Sequence, residues 1–332
     1  MTAAAVALAG IFVGMAKGVD IYVIEDTGFF GPPGPSQGDI GRFPANDPSS
    51  VTIVGNTVDL FNMGGIDFRT GENDRLHAFE VTTNSLRRLG LTGGNTLIDS
   101  LGFCDMAVAA LTFSNDGSIA YAAGNAAGAA RIIEADAETG AILEVHTIFG
   151  PSISAMATAP PCVQAPAVPG EIWAINNTGT GAQLITIDLD TDTVNTLGFV
   201  TGIGFTQAFE AGLDWSLDGT LYVAFNGVEQ IGGDFFDVST RFYTLDPATR
   251  QATLVGVIQA DDTWDASSIT VDDQLSGDIN GDGTRDISDL PVFVNVLLGA
   301  ETDCLRVFRS DINLDNKTDG DDIQAFITTL VP

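Results

Sequence analysis

A loose unit of about 50 residues recurs between residues 19 and 272. Each copy carries one phrase: a β-forming run, a polar turn, and a short second run ending near glycine. Phe242 to Gly256 aligns in this way with Leu184 to Gly198 and with Leu76 to Gly90, and less closely with Ile132 to Val145 and Ile40 to Gly55. β-Branched and aromatic residues flanking turns of Asp, Thr, Asn and Gly read as hairpins. Upstream lies a second shared phrase, a small-residue strand, an Asp-Gly turn and a strand with an aromatic. Ala211-Gly-Leu-Asp214-Trp215 leading to Leu221-Tyr222 is one copy, and Ala109 to Tyr121 is another. Together the phrases make four short antiparallel strands per unit, which is the make-up of a propeller blade.

The ends of the repeat suit a ring. The body begins on a second strand, Ile21-Tyr22-Val23, and finishes on a lone first strand, Ser267 to Val271. That last strand can complete the first blade and remove an exposed edge. The expected fold is mainly β: a circularly closed β-propeller of about five four-stranded blades, then a small α-helical domain. Blade two is the thin place, because few residues separate Asp67 from Phe79 if the Leu76 hairpin forms its outer half. A β-sandwich with turn-rich hairpins is the competing architecture.

The last stretch carries one acidic loop twice. Asp278-Ile-Asn280-Gly-Asp282-Gly283-Thr284-Arg-Asp286-Ile-Ser-Asp289 recurs as Asp311-Ile-Asn313-Leu-Asp315-Asn316-Lys317-Thr-Asp319-Gly-Asp-Asp322. Oxygen-bearing side chains stand at loop positions 1, 3, 5, 9 and 12, a spacing that wraps a hard cation in oxygen ligands. Position 7, Thr284 or Lys317, contributes its backbone carbonyl. Position 6 needs a left-handed bend, which Gly283 and Asn316 tolerate. After each loop an apolar helical face is expected: Leu290, Phe293, Val294 and Leu297, then Ile323, Phe326, Ile327 and Leu330. Two calcium ions are therefore expected, one per loop.

Residues 275–332 resemble a dockerin module. The duplicated DxNxDGxxxxxD loop, Asp at position 12 and an apolar helix after each loop carry the resemblance. It implies a tail that folds around two Ca2+ ions and plugs into a cohesin-like or cell-surface partner. The contact residues it implies are those at loop positions 10 and 11, here Ile287, Ser288, Gly320 and Asp321. The chain departs from the pattern at position 8, which is Arg285 and Thr318, and at Asn316.

Composition narrows the partners. With 13 basic and 44 acidic residues the net charge is −31, so the basic footprint that nucleic acid or an anionic membrane surface needs is missing. Residues 1–18 read as a secretory signal peptide built on an apolar run too short to span a bilayer, although its positive leader is absent. Residues 19–273 then form the propeller-like domain and residues 275–332 the dockerin-like one, in a secreted or surface-attached chain with no membrane span once the leader is removed. Export permits a Cys104–Cys162 disulfide and leaves Cys304, in the linker between the calcium loops, as a free or intermolecular thiol; three unpaired cysteines are the alternative.

Catalytic signals are weak. Asp67, Glu210 and Asp214 fall on or beside first strands, where a propeller glycoside hydrolase sets its acid and base. Solvated or turn-capping carboxylates are the plainer reading. His77 and His146 lack a nucleophile in context and read as single surface-strand histidines. Trp173, Trp215 and Trp264 read as fillers between blades rather than sugar platforms. The expectation is an exported, non-catalytic binding or structural propeller with a carbohydrate or protein ligand. The alternative is a propeller hydrolase or lyase in polysaccharide degradation carried by the same tail.

Overall fold

The computed structural model describes residues 19–25, 39–56, 63–69, 75–80, 83, 85–90, 95–100, 107–126, 128–205, 207–231, 234–258, 266–272, 277–282, 284–313, 315 and 317–330. Five four-stranded antiparallel sheets stand in a ring and three short helices follow them. Blade 1 holds β1 (Asp20–Glu25), β2 (Asp39–Pro44) and β3 (Thr52–Asn56). Blade 2 is β4 (Met63–Phe68), β5 (Arg75–Glu80), β6 (Ser85–Gly90) and β7 (Asn95–Ser100); blade 3 is β8 (Ala107–Phe113), β9 (Ile119–Ala126), β10 (Ala129–Asp136) and β11 (Ile142–Phe149). Blade 4 is β12 (Ile153–Thr158), β13 (Ile172–Asn177), β14 (Ala182–Asp188) and β15 (Thr193–Phe199); blade 5 is β16 (Gln207–Trp215), β17 (Leu221–Ile231), β18 (Asp234–Leu245) and β19 (Ala252–Val257).

The last strand, β20 (Ala266–Asp272), pairs antiparallel with β1, setting Ile21 opposite Val271 and Val23 opposite Ile269. The ring thus closes by the strand exchange expected from its two ends. Blade 2 is complete, contrary to the shortage read from the sequence. Its Leu76 hairpin forms the second and third strands, and Asn95–Ser100 supplies the fourth. The misreading came from register: the hairpin phrase marks the outer pair in the other four blades and the middle pair in this one.

Burial falls from the axis outward. All four residues from Ile172 to Ile175 on β13 are buried, whereas no residue of β15 is. Inner strands have a neighbouring blade on both faces, and outer strands do not. Each of the five seams between blades carries its own apolar cluster, such as Trp173, Leu184, Trp215, Val223, Phe225 and Tyr243 between blades 4 and 5. The innermost strands touch around the full circle, β4 to β8, β12, β16, β20 and back. Such close approach demands small residues: a Cβ on Gly65 would collide with the backbone of Ala110 and Leu111, and one on Gly212 with that of Ser268 and Ile269.

The tail consists of α1 (Leu290–Leu297), α2 (Cys304–Ser310) and α3 (Asp322–Leu330), the first and third following the two acidic loops as expected. Pro291 opens α1, where a missing N–H costs nothing. Ile279, Phe293 and Phe326 form the tail's core, with the two phenyl rings 4.7 Å apart. The apolar face differs from the one expected: Leu290, Val294, Ile323 and Ile327 are exposed, while Val296 joins the buried set. α2 was not expected at all. Its first residue, Cys304, is disulfide-bonded to Cys162 with the two Cα atoms 5.6 Å apart. The pairing of Cys162 with Cys104, and a free Cys304, are therefore corrected; Cys104 itself lies outside the described residues, as do the leader 1–18, Trp264, Gly283 and Asn316. Sequence spacing carries no distance, so Cys162 could not be matched to a partner 142 positions away. No helix among the described residues is long and apolar enough to cross a membrane.

Candidate functional site

Where the innermost strands end, successive blades present one position to the axis: Asp67, Thr112, Ala157, Asp214 and Thr270. Strands of neighbouring blades share no ladder there, so their terminal backbone N–H groups need other acceptors. Side chains provide them. Asp67 accepts from its own neighbour Phe68 N–H at 2.7 Å and, one blade over, from Phe113 N–H at 3.1 Å. Asp214 accepts from Trp215 N–H and from Val271 N–H, both at 2.7 Å, and the Thr112 hydroxyl accepts from Thr158 N–H at 3.1 Å. The two carboxyls are thus clasps between blades.

Asp67 and Asp214 also meet through Thr270, whose hydroxyl oxygen lies 2.9 Å from each. A hydroxyl has one proton to donate. The hydroxyl serves one carboxyl at a time, and the close approach of two buried acids disfavours ionising both. Their environment agrees: burial, and then the charge of Asp214, holds Asp67 well above the usual carboxylate range, and burial pushes Asp214 up to about 6. His77, directly across β5 from Asp67, is buried with its ring edge-on to Phe113, 5.1 Å between centroids.

Glu210 does not join them. It stands four residues before Asp214 on β16, about 13 Å back along the strand at the usual rise. Over the two acids only a cavity of about 20 Å3 remains, and Phe308 of α2 contributes to its lining. That is room for a water molecule. The disulfide fixes α2 beside this mouth, because Cys162 follows closely on the end of β12.

The two acidic loops share one hydrogen-bond plan. The position-12 carboxylates point inward and are fully buried: Asp289 accepts from Asn280 N–H and Asp286 N–H, and Asp322 from Ile312, Asn313 and Asp319 N–H. At position 1, Asp278 and Asp311 are buried and accept from Asp282 and Asp315 N–H, both at 3.1 Å. At position 3, Asn280 and Asn313 accept from the same two N–H groups, and at position 5 Asp282 and Asp315 accept from Thr284 and Lys317 N–H. Hydrogen bonds from the Thr284 hydroxyl and then the Asn280 amide pull Asp282 down to about 2. At position 9, Asp286 caps the turn by accepting from Ser288 N–H, and Asp319 accepts from Asp321 N–H. The donor set is all oxygen and matches a hard cation. Ile287, Ser288, Gly320 and Asp321 are all exposed, Ile287 at 67 %.

Both histidines depart from the surface reading: His77 and His146 are buried. Trp173 and Trp215 fill the seam between blades 4 and 5, edge to face at 5.6 Å, as expected of gap fillers. Between blades 3 and 4 a groove of about 630 Å3 opens on the outer rim, with Tyr121 and Glu134 on one side and Ile172, Asp188 and Val194 on the other. Burial and the charge of Glu134 push the Tyr121 phenol up to about 12.

No protein-family model and no curated protein matches the chain. Among solved structures it is similar to one described as a nidogen/laminin complex, at 11 % identity over 76 % of this chain and 98 % of that one, TM-score 0.48. TolB from Acinetobacter baumannii is similar at 16 % identity over 74 % and 54 %, TM-score 0.42. Virginiamycin B lyase from Staphylococcus aureus is similar at 16 % over 58 % and 69 %, TM-score 0.35. What the chain's own strands define is a five-bladed β-propeller with a short helical tail.

Proposed function

We propose that this is an exported, non-catalytic propeller that binds or scaffolds, docked to a cohesin-like or surface protein through its calcium-dependent tail. The observation that carries the reading is the matched pair of acidic loops, each turning a buried position-12 carboxylate inward on one hydrogen-bond plan. Buried carboxylates are costly unless compensated, and a divalent ion compensates several at once. Asp278, Asn280, Asp282, Asp286 and Asp289, with the Thr284 carbonyl, would hold one Ca2+. Asp311, Asn313, Asp315, Asp319 and Asp322, with the Lys317 carbonyl, would hold the other. When bound, the ions neutralise the loops and brace the helices that frame Ile287, Ser288, Gly320 and Asp321.

Export is supported by the Cys162–Cys304 disulfide, which persists in oxidising compartments. The non-catalytic reading is supported by the occupation of Asp67 and Asp214 as clasps, under a space too small for a sugar ring. Calcium titration by calorimetry tests the tail: two ions taken up by the intact chain, one lost in Asp278→Ala and one in Asp311→Ala. No uptake, or uptake that both variants keep, would refute it. The rival hydrolase or lyase predicts reducing or unsaturated ends released from a polysaccharide panel, abolished by Asp67→Asn or Asp214→Asn.

A further inference from the structure

We propose a second metal site, independent of the acidic loops, on the outer part of blade 3: a divalent ion with nitrogen and oxygen ligands held by His146, Glu134 and Glu144. One ligand atom from each of these residues lies within 4.8 Å of the others. The strand register brings them together, because Glu134 on β10 stands directly opposite Glu144 on β11 and His146 follows Glu144 by two residues on the same face. Like charges set opposite each other on paired strands repel, unless a cation joins them.

The imidazole supplies the independent observation. His146 is only 4 % exposed, and its Nδ1 lies 2.6 Å from Asp192 Oδ1. An ionised carboxylate only accepts, so Nδ1 carries the proton in this bond. Nε2 then faces Glu134 Oε1 at 3.4 Å, buried and with no hydrogen-bond partner. With Nδ1 engaged by Asp192, Nε2 is the ring atom turned toward the two glutamates, where a metal ligand would stand. Two ligands each about 2.0–2.1 Å from a tetrahedral ion stand about 3.3–3.4 Å apart, so one ion could bridge Nε2 and Oε1 at their present separation.

Asp192 behaves as the outer carboxylate that orients a metal-bound histidine. It comes from the turn between β14 and β15 of the next blade, at a left-handed φ of 54° that Asp tolerates better than most residues. The ion would therefore tie blade 3 to blade 4 through His146. One imidazole with two carboxylates favours Zn2+ over Ca2+. Glu134 also lines the 630 Å3 groove, and Glu144 is exposed, so a fourth position opens toward solvent.

The test uses the full-length protein in excess Ca2+, so that the acidic loops are already supplied, with Zn2+ as titrant in calorimetry. One further Zn2+ per chain is expected. His146→Ala should abolish it, and Glu134→Gln or the surface change Glu144→Gln should weaken it at least tenfold. Asp192→Asn should weaken it about 10–100-fold without removing a ligand. Asp278→Ala and Asp311→Ala should leave it unchanged, which separates this site from the tail. Should His146→Ala fail to fold, Glu144→Gln decides. The proposal falls if no Zn2+ binds, in which case His146 serves only to join Asp192 and Glu134 across the blades. It falls equally if Zn2+ binds with undiminished affinity in both glutamine variants.

Discussion

Ring and tail solve the problem of burial in opposite ways. The ring spreads its apolar surface over five seams, each filled by large side chains from two blades, and closes its edges by pairing β20 with β1. The tail's core cluster has only Ile279, Phe293 and Phe326 fully inside, and four carboxylates, Asp278, Asp289, Asp311 and Asp322, are buried beside them. A unit that small does not bury enough apolar surface to hold itself together, and it needs staples. The disulfide at Cys304 is one, and the proposed Ca2+ ions are the others. The ring's stability is thus a property of packing, and under the proposed function the tail's is a property of ligation.

Chelation should break that comparison most sharply. Stripping Ca2+ with EDTA is expected to abolish amide protection in residues 277–330 while the blade strands keep theirs, read by hydrogen exchange; equal loss in both would show one cooperative unit. Next in size, Phe293→Ala removes half of the Phe293–Phe326 pair and should cost the tail about 3–5 kcal/mol, with the ring's thermal midpoint unmoved. Cys304→Ser should cost about 2–5 kcal/mol and raise exchange in α2, measured against the parent protein under the same conditions. Gly65→Ala pushes a methyl group into the backbone of β8 and should destabilise the ring alone by about 1–3 kcal/mol.

An effect of similar size is a pH dependence of the ring. Asp214 is raised to about 6 from a value near 4 in the unfolded chain, so the folded state holds a proton that the unfolded state has lost in between. Its contribution is complete below about pH 4 and lost as pH rises through about 6. The ring's melting temperature should fall across that window. Thr270→Val, which deletes the hydroxyl joining the two acids, should lower the whole curve by about 1–3 kcal/mol. A flat profile in the parent protein would mean that neither acid holds a proton in the fold.

Much of the architecture was legible because it is written locally. Alternating β-formers, Asp-Gly turns and the split first blade each lie within a short stretch of chain, and so does the oxygen-bearing spacing of the acidic loops. The miscounted strands of blade 2 show the limit of that reading, since a hairpin phrase does not say which pair of blade strands it forms. Candidate chemistry was less legible. Asp67 and Asp214 were singled out, but not their meeting at Thr270 or their work as clasps between blades. His146 looked like a lone surface residue, because Asp192, which holds its ring, lies 46 positions away.

From its sequence alone this protein is a closed mainly β ring with a doubled acidic loop at its end, because strand periodicity, turn chemistry and loop spacing are short-range properties. Which cysteine bridges to which, that α2 lies over the axial mouth, that two acids meet at Thr270, and that His146 faces Glu134 were settled only by the tertiary structure. Each depends on distances between residues far apart in the chain, and those distances exist only once the blades have packed.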